Sequence, residues 1–144
     1  MKEIIIGFNG FVGRWISKQL QIILHPEDVS IGLLSPKGDL IAGVLYQDFN
    51  RSNIVVHIAA EAGGAWMTRK FLRMIFDYPF NQLGVKRLTA PVAAKNMQSR
   101  RFVEHLGFVA EATLKDALPD DDLILYCMRR ENCRWLSLKD SNHG

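Results

Sequence analysis

Three places in this sequence carry residues able to do chemistry. In "NIVVHIAAE", a run that reads as a strand, His57 shares a face with Ala59 and Glu61 by the strand period of two. An imidazole, whose ordinary pKa lies close to neutrality, beside a carboxylate makes a proton-accepting pair in which one group can orient the other. "AGGAWM" follows, a glycine-containing loop that runs into the apolar-periodic "TRKFLRMIFDY". A helix start of that kind offers unpaired N–H groups and a positive dipole end to an anion. The third place is "NMQSRRFVEHLGF", where Asn96 and Ser99 sit on the leading turn of a short helix beside Arg100 and Arg101. Each has a plainer counterpart: a core histidine, a solvated glutamate, a solvated basic helix face, an asparagine that only caps.

The elements that must hold these residues are legible. Asn96 is a favoured N-cap, and Gly107 with Phe108 predicts a Schellman-type end folded back onto Val103. "KEIIIGF" reads as a first strand. "GFVGRWISKQLQII" has an aliphatic set at helical spacing, closed by Pro26. "VSIGLLS", "DLIAGVLYQDF" and "NIVVHIAAE" are strands joined by the short turns "PKG" and "NRS", hence an antiparallel meander. After the helix "TRKFLRMIFDY", Pro79 disfavours helical geometry at Tyr78 and predicts an end or a kink there. "KRLTAPV" is a strand that Pro91 places near an edge or takes out of the ladder. The capped helix, the strand "FVAEATLKD", the turn "LPDDD" and the strand "LILYCMRR" complete the order. The expected fold class is α/β, a mixed, mostly antiparallel sheet flanked by helices. Its one parallel pair is the strand ending near Glu61 and the strand starting near Lys86, joined through a helix.

Bulk properties narrow the function. A chain of 144 residues is expected to be a single domain, residues 1–144, with a polar tail over about its last ten residues, and it buries about two thirds of its unfolded surface. No apolar run is long enough for a membrane span or the core of a signal peptide, which makes the cytoplasm the expected location. Cys127 and Cys133 form neither a zinc spacing nor a disulfide framework, and the four histidines are scattered, so no metal is expected. The net charge of +3 suits an anionic ligand but lacks the long basic stripe that duplex DNA demands.

The order of elements, the segment "AEAGGAWMTRKFL", the segment "IFDYPFNQLGVKRLTAPV" and the pair Asn96 and Ser99 followed by "EHLGF" together resemble the GNAT (Gcn5-related) N-acetyltransferases. The likeness is strongest to the RimJ/RimL-like branch and to small phage-encoded relatives, and it runs from about Val29 to Met128. It implies acetyl-CoA as co-substrate, with the cofactor along Ile58, Ala59 and Ala60, its pyrophosphate at Gly63, Gly64, Ala65, Trp66, Met67, Thr68 and Arg69, and its pantetheine arm facing Asn96 and Ser99. Two positions depart from the family pattern. Trp66 stands where a glycine is expected, which restricts close backbone approach to phosphate. Val103 stands where many relatives carry a tyrosine thought to protonate the leaving thiolate.

The reaction implied is attack of a neutral amine on the acetyl-CoA thioester. Glu61 is the first candidate for the base that takes the amine's proton, and His57 the second; Ser99 and Tyr126 are candidate acids. A backbone N–H of the "VHIAA" strand is the expected oxyanion donor. Trp135, Phe49 and Tyr46 can shape an acceptor pocket or simply pack, and Arg129, Arg130 and Arg134 form a basic C-terminal cluster. The partners expected are acetyl-CoA and an amine, with a homodimer as an assembly common among relatives. Two other functions remain open: a relative that binds acyl-CoA or a protein without turnover, and an enzyme that modifies a nucleobase.

Overall fold

The fold is that of a computed structural model of the chain, which describes residues 2–64, 66 and 68–137. The chain runs through β1 (Glu3–Ile6), α1 (Asn9–Leu20), β2 (Val29–Leu34), β3 (Leu40–Gln47), β4 (Asn53–Ala60), α2 (Arg69–Asp77), β5 (Arg87–Ala93), α3 (Met97–Leu106), β6 (Val109–Leu118) and β7 (Asp121–Arg129). The strands form one sheet in the order β1-β2-β3-β4-β5-β7-β6. Every neighbouring pair is antiparallel except β4 and β5, which are parallel, as the helix-linked crossover predicts.

The strand period of two sorts the side chains onto two faces. Val44, Tyr46, Val56, Ile58, Leu88, Ala90, Ile124 and Tyr126 pack with the buried faces of α2 and α3 in the main core. Leu45 and Ala59 point the other way and pack with Val12 and Ile16 of α1. α1 lies close because Gly32 and Gly43 leave room for it: a Cβ at Gly32 would stand 2.9 Å from Val12, and one at Gly43 would stand 3.0 Å from Ile16.

The feature that matters most is where β4 and β5 part. Their register covers only Asn53↔Arg87, Ile54↔Leu88 and Val55↔Thr89. β4 continues to Ala60, still paired with β3, and β5 continues to Ala93, still paired with β7. A wedge therefore opens in the middle of the sheet. Pro91 sits two residues past the last contact with β4, on a stretch bonded on one side only. That is why a proline is tolerated in a strand that lies inside the sheet order.

Three local expectations are corrected. α1 ends at Leu20, well before Pro26, because Gln21 takes a left-handed conformation (φ 56°) and donates its N–H to Ser17 O. The α-helix α2 ends at Asp77, as Pro79 predicts, but Tyr78 keeps right-handed helical dihedrals (φ −56°, ψ −56°) and the chain winds on through a π-turn over Tyr78–Gln82. The β6–β7 turn is tighter than "LPDDD" implies: Leu118 pairs with Asp121, and Asp120 takes φ 60°. No helix is long and apolar enough to cross a membrane. Among the described residues no group of His, Cys, Asp or Glu is placed to hold a metal ion.

Candidate active site

The wedge between β4 and β5 holds a cavity of about 70 Å³. Val56, Ile58, Ala90 and Val92 line it from the α2/α3 face, with Asn96, Ser99 and Val103 of α3 above them. His57, Pro91 and Ala93 line it from the opposite face, together with Leu20 and Ile22 beyond the α1 side. The cavity thus passes through the sheet. It is far smaller than the ~300–1,000 Å³ of a typical small-molecule pocket, so it suits a narrow chain rather than a ring system.

Backbone chemistry makes this gap unusual. From Val56 onward β4 has no partner on the β5 side, so alternate N–H and C=O groups of that edge face the wedge without a ladder bond. Buried backbone groups are nearly always paired, which marks the edge as a place for a ligand that carries its own donors and acceptors.

α3 is positioned as its sequence punctuation predicts. The Asn96 side chain accepts from Ser99 N at 3.1 Å, Gly107 takes φ 112°, and Phe108 N donates to Val103 O at 2.9 Å. The first turn of α3 therefore brings Asn96 and Ser99 to the gap, and Val103 meets it further along the same helix. Asn96→Ala is expected to lower stability by about 1 kcal/mol through loss of the cap, read from urea denaturation.

At the other helix start, Gly63 and Gly64 take φ values of 100° and 74°, and the Thr68 hydroxyl accepts from Phe71 N at 3.2 Å. The Arg69 and Lys70 N–H groups, which a first turn cannot pair, have no acceptor among the described residues. Trp66 is buried to 1% exposure, its ring against Phe71 of α2 and Phe102 of α3, and its Nε1 has no partner among the described residues. It serves to join the two helices. Ala65 and Met67 lie outside the described residues.

His57 is nearly buried and joins a polar chain on the α1 face. Its Nε2 is 2.9 Å from Gln47 Oε1, and Gln47 Nε2 donates to Asp28 Oδ2 at 2.7 Å and to Ile23 O at 2.9 Å. Burial pushes the His57 pKa down to about 4, against the smaller opposing pull of the Asp28 and Asp48 charges. The imidazole is therefore neutral throughout the physiological range.

The other residues singled out from the sequence are placed as follows. Glu61 is exposed at the end of β4, its N–H donating to Ile41 O, and it does not line the cavity. Ala59 packs under α1 and Ala60 in the main core, so either would meet a ligand through its backbone. Arg69 is exposed at the start of α2. Tyr126 is fully buried: its hydroxyl donates to Glu104 Oε2 at 2.5 Å and accepts from Arg100 Nε at 3.1 Å, and burial raises its pKa. Tyr46 donates to Ile75 O, and Trp135 donates to Leu106 O. Arg130 reaches Phe80 O and Asn81, Arg134 reaches His105 O, and Arg129 pairs with Glu131. The basic cluster thus ties down the C-terminal segment. What the sequence did not show is the set Leu20, Ile22, Asp28 and Gln47, because these meet His57 only through the packing of α1 and the β3–β4 register.

A sequence model described as "Acetyltransferase (GNAT) domain" matches residues 33–122. The chain belongs to the GNAT acetyltransferase family. By family it is an N-acetyltransferase. Among curated proteins none matches it by sequence. Among solved structures, an N152L mutant of the spermidine N-acetyltransferase SpeG from Vibrio cholerae superposes with a TM-score of 0.73 at 14% identity, over 94% of this chain and 96% of that one. A "probable acetyltransferase" gives 0.63 at 20% identity, over 86% and 70%. A GNAT-family acetyltransferase from Bacillus anthracis gives 0.59 at 15%, over 71% and 66%. These likenesses are of fold.

Proposed function

We propose that this GNAT protein moves an acetyl group from acetyl-CoA to a neutral amine in the gap between β4 and β5, with His57 as the proton acceptor. The observation that carries the reading is the wedge itself, a narrow passage whose backbone groups are unpaired on one side and whose far wall holds a neutral imidazole. The residues present fit acetyl-CoA. The Arg69 and Lys70 N–H groups, without an acceptor among the described residues, suit a pyrophosphate. The open β4 edge suits the amides of a pantetheine arm, with Asn96 and Ser99 facing it.

Acetyl-CoA supplies an activated acyl carbon. The amine nitrogen attacks that carbon from the His57 side; the C–N bond forms and the C–S bond breaks, its electron pair leaving on sulfur. His57 accepts the proton that nitrogen sheds and returns it to the thiolate or to solvent. A base of pKa about 4 cannot strip an alkylammonium of pKa ~10.4, so the amine must arrive neutral. One of the free β4 N–H groups steadies the developing oxyanion. A departing thiolate has an ordinary pKa of about 8.5 and needs little help, so Val103 in the place of an acid is tolerable. Ser99 is nearer to that role than Tyr126, whose hydroxyl is committed to α3.

The polyamine acceptor named for the Vibrio cholerae structures is not carried over. Among the described residues the α1-side wall of the gap is Leu20, Ile22, Pro91, Ala93 and neutral His57, with no carboxylate lining it to draw an ammonium. A homodimer is consistent with β6, a sheet-edge strand exposed along nearly its whole length.

The test needs no known acceptor. Acetyl-CoA at 100 times its Kd is expected to stabilise the fold by ~2.7 kcal/mol, raising Tm by several degrees. Thiol release with a panel of amines then separates turnover from binding. A Tm unmoved by millimolar acetyl-CoA contradicts the reading; binding without thiol release favours a non-catalytic relative, and salt-sensitive DNA binding favours a nucleobase-modifying enzyme.

A further inference from the structure

The polar chain behind His57 is costly and asks for an explanation. Asp28 is 4% exposed, Gln47 8% and His57 9%, and a buried carboxyl that no cation pairs with among the described residues is retained at a desolvation cost. Asp28 Oδ2 accepts from His25 N at 2.8 Å and from Gln47, while its Oδ1 has no partner among the described residues. Asn9, the first residue of α1, holds the segment in place: its Nδ2 donates to Asp28 O at 2.8 Å and its Oδ1 accepts from Ser30 N and Ser30 Oγ.

The donors and acceptors admit one arrangement. Gln47 Nε2 lies within bonding distance of two acceptors, Asp28 Oδ2 and Ile23 O, so it must be the NH2 end; turning the amide over would set its oxygen against both. Gln47 Oε1 is then an acceptor, and the His57 nitrogen 2.9 Å away must be its donor. A neutral imidazole that carries its proton on Nε2 has its lone pair on Nδ1.

We infer that Asp28 and Gln47 are positioning residues that fix His57 as the Nε2–H tautomer and leave Nδ1 as its proton acceptor in the gap. The inference rests on the acetyl-transfer reading for its purpose. Once Nδ1 takes a proton the imidazole is cationic, and the Asp28 charge, relayed through the Gln47 amide, faces that cation. Asp48 is the other carboxylate acting on the ring, and the α1-side groups nearest the cavity, Leu20 and Ile22, carry no charge. A purely architectural role, pinning the segment that follows α1 to β3, would give the same tautomer but leave kcat unchanged in a folded variant.

The experiment reads the tautomer first. In the full chain labelled with 15N-histidine at pH 7, His57 is expected to show a protonated Nε2 and a bare Nδ1. In Gln47→Leu the preference is expected to be lost, with kcat at least ~10-fold lower and KM for acetyl-CoA unchanged. Asp28→Asn, which keeps size and an acceptor oxygen, is expected to retain the tautomer yet lower kcat. A wild-type ring protonated on Nδ1, or mixed, overturns the inference even if Gln47→Leu does not fold. So does wild-type kcat in both folded variants. An Nε2–H ring in a chain that releases no thiol with any amine overturns the acetyl-transfer reading and the catalytic purpose with it, while supporting the tautomer.

Discussion

Replacing His57 by glutamine is expected to lower kcat by ~10²–10⁴-fold, the usual contribution of a positioned general base. Glutamine nearly matches imidazole in reach but offers no lone pair of comparable basicity. Glu61→Gln, at an exposed position outside the gap, is expected to change kcat little, and loss of activity there with retention in His57→Gln would move the base to Glu61. The pH profile sharpens the test. Because the pKa of His57 is about 4, it contributes no limb between pH 6 and 9. For an alkylamine acceptor, kcat/KM should therefore rise about tenfold per pH unit across that range as the amine deprotonates. A limb near pH 6.5 that vanishes in His57→Gln would show an imidazole less buried than the structure has it.

The second large effect is on stability in acid. His57 has its pKa depressed in the folded state, from 6.5 to about 4. Between those values the unfolded chain binds a proton at this site and the folded chain does not, so stability rises with pH there and falls as pH is lowered. At 1.36 kcal/mol per unit over 2.5 units, the fold is expected to lose about 3 kcal/mol between pH 6.5 and pH 4 on account of this residue. Above pH 6.5 its contribution is constant. Urea denaturation of wild type and His57→Gln at several pH values isolates the effect: the difference between their stabilities should change across pH 4–6.5 and stay level above it. A pH-independent difference contradicts the depressed pKa.

Much of the fold was legible because local signals carried it. The caps of α3 lie within its own sequence, so Asn96, Gly107 and Phe108 behave as their types require. The parallel β4–β5 pair followed from a helix standing between two apolar runs. The misses were also local, but in competition. Pro26 looked like the end of α1, yet a left-handed Gln21 stopped it sooner; Pro79 argued against helical geometry at Tyr78, yet after α2 ends at Asp77 a π-turn keeps Tyr78 helical. The site was legible in part. Asn96, Ser99, Ile58 and His57 do meet at one cavity. Glu61 stood first for its carboxylate chemistry and strand position; the fold leaves it exposed at the end of β4, outside the cavity that His57 lines. Gln47 and Asp28 carried no signal, since they are 10 and 29 residues from His57 in sequence and become neighbours only through the β3–β4 register and the packing of the segment after α1.

The central claim is that the wedge between β4 and β5 is where acyl-CoA and amine meet. A crystal structure of the chain with a non-hydrolysable thioether analogue of acetyl-CoA tests it directly. The account predicts the pyrophosphate at the Gly63–Arg69 helix start, the pantetheine arm along the open edge of β4 opposite Asn96 and Ser99, and the acyl carbon in the gap on the far side of which His57 stands. An analogue bound elsewhere on the molecule, with β4 and β5 closed on each other, would contradict it.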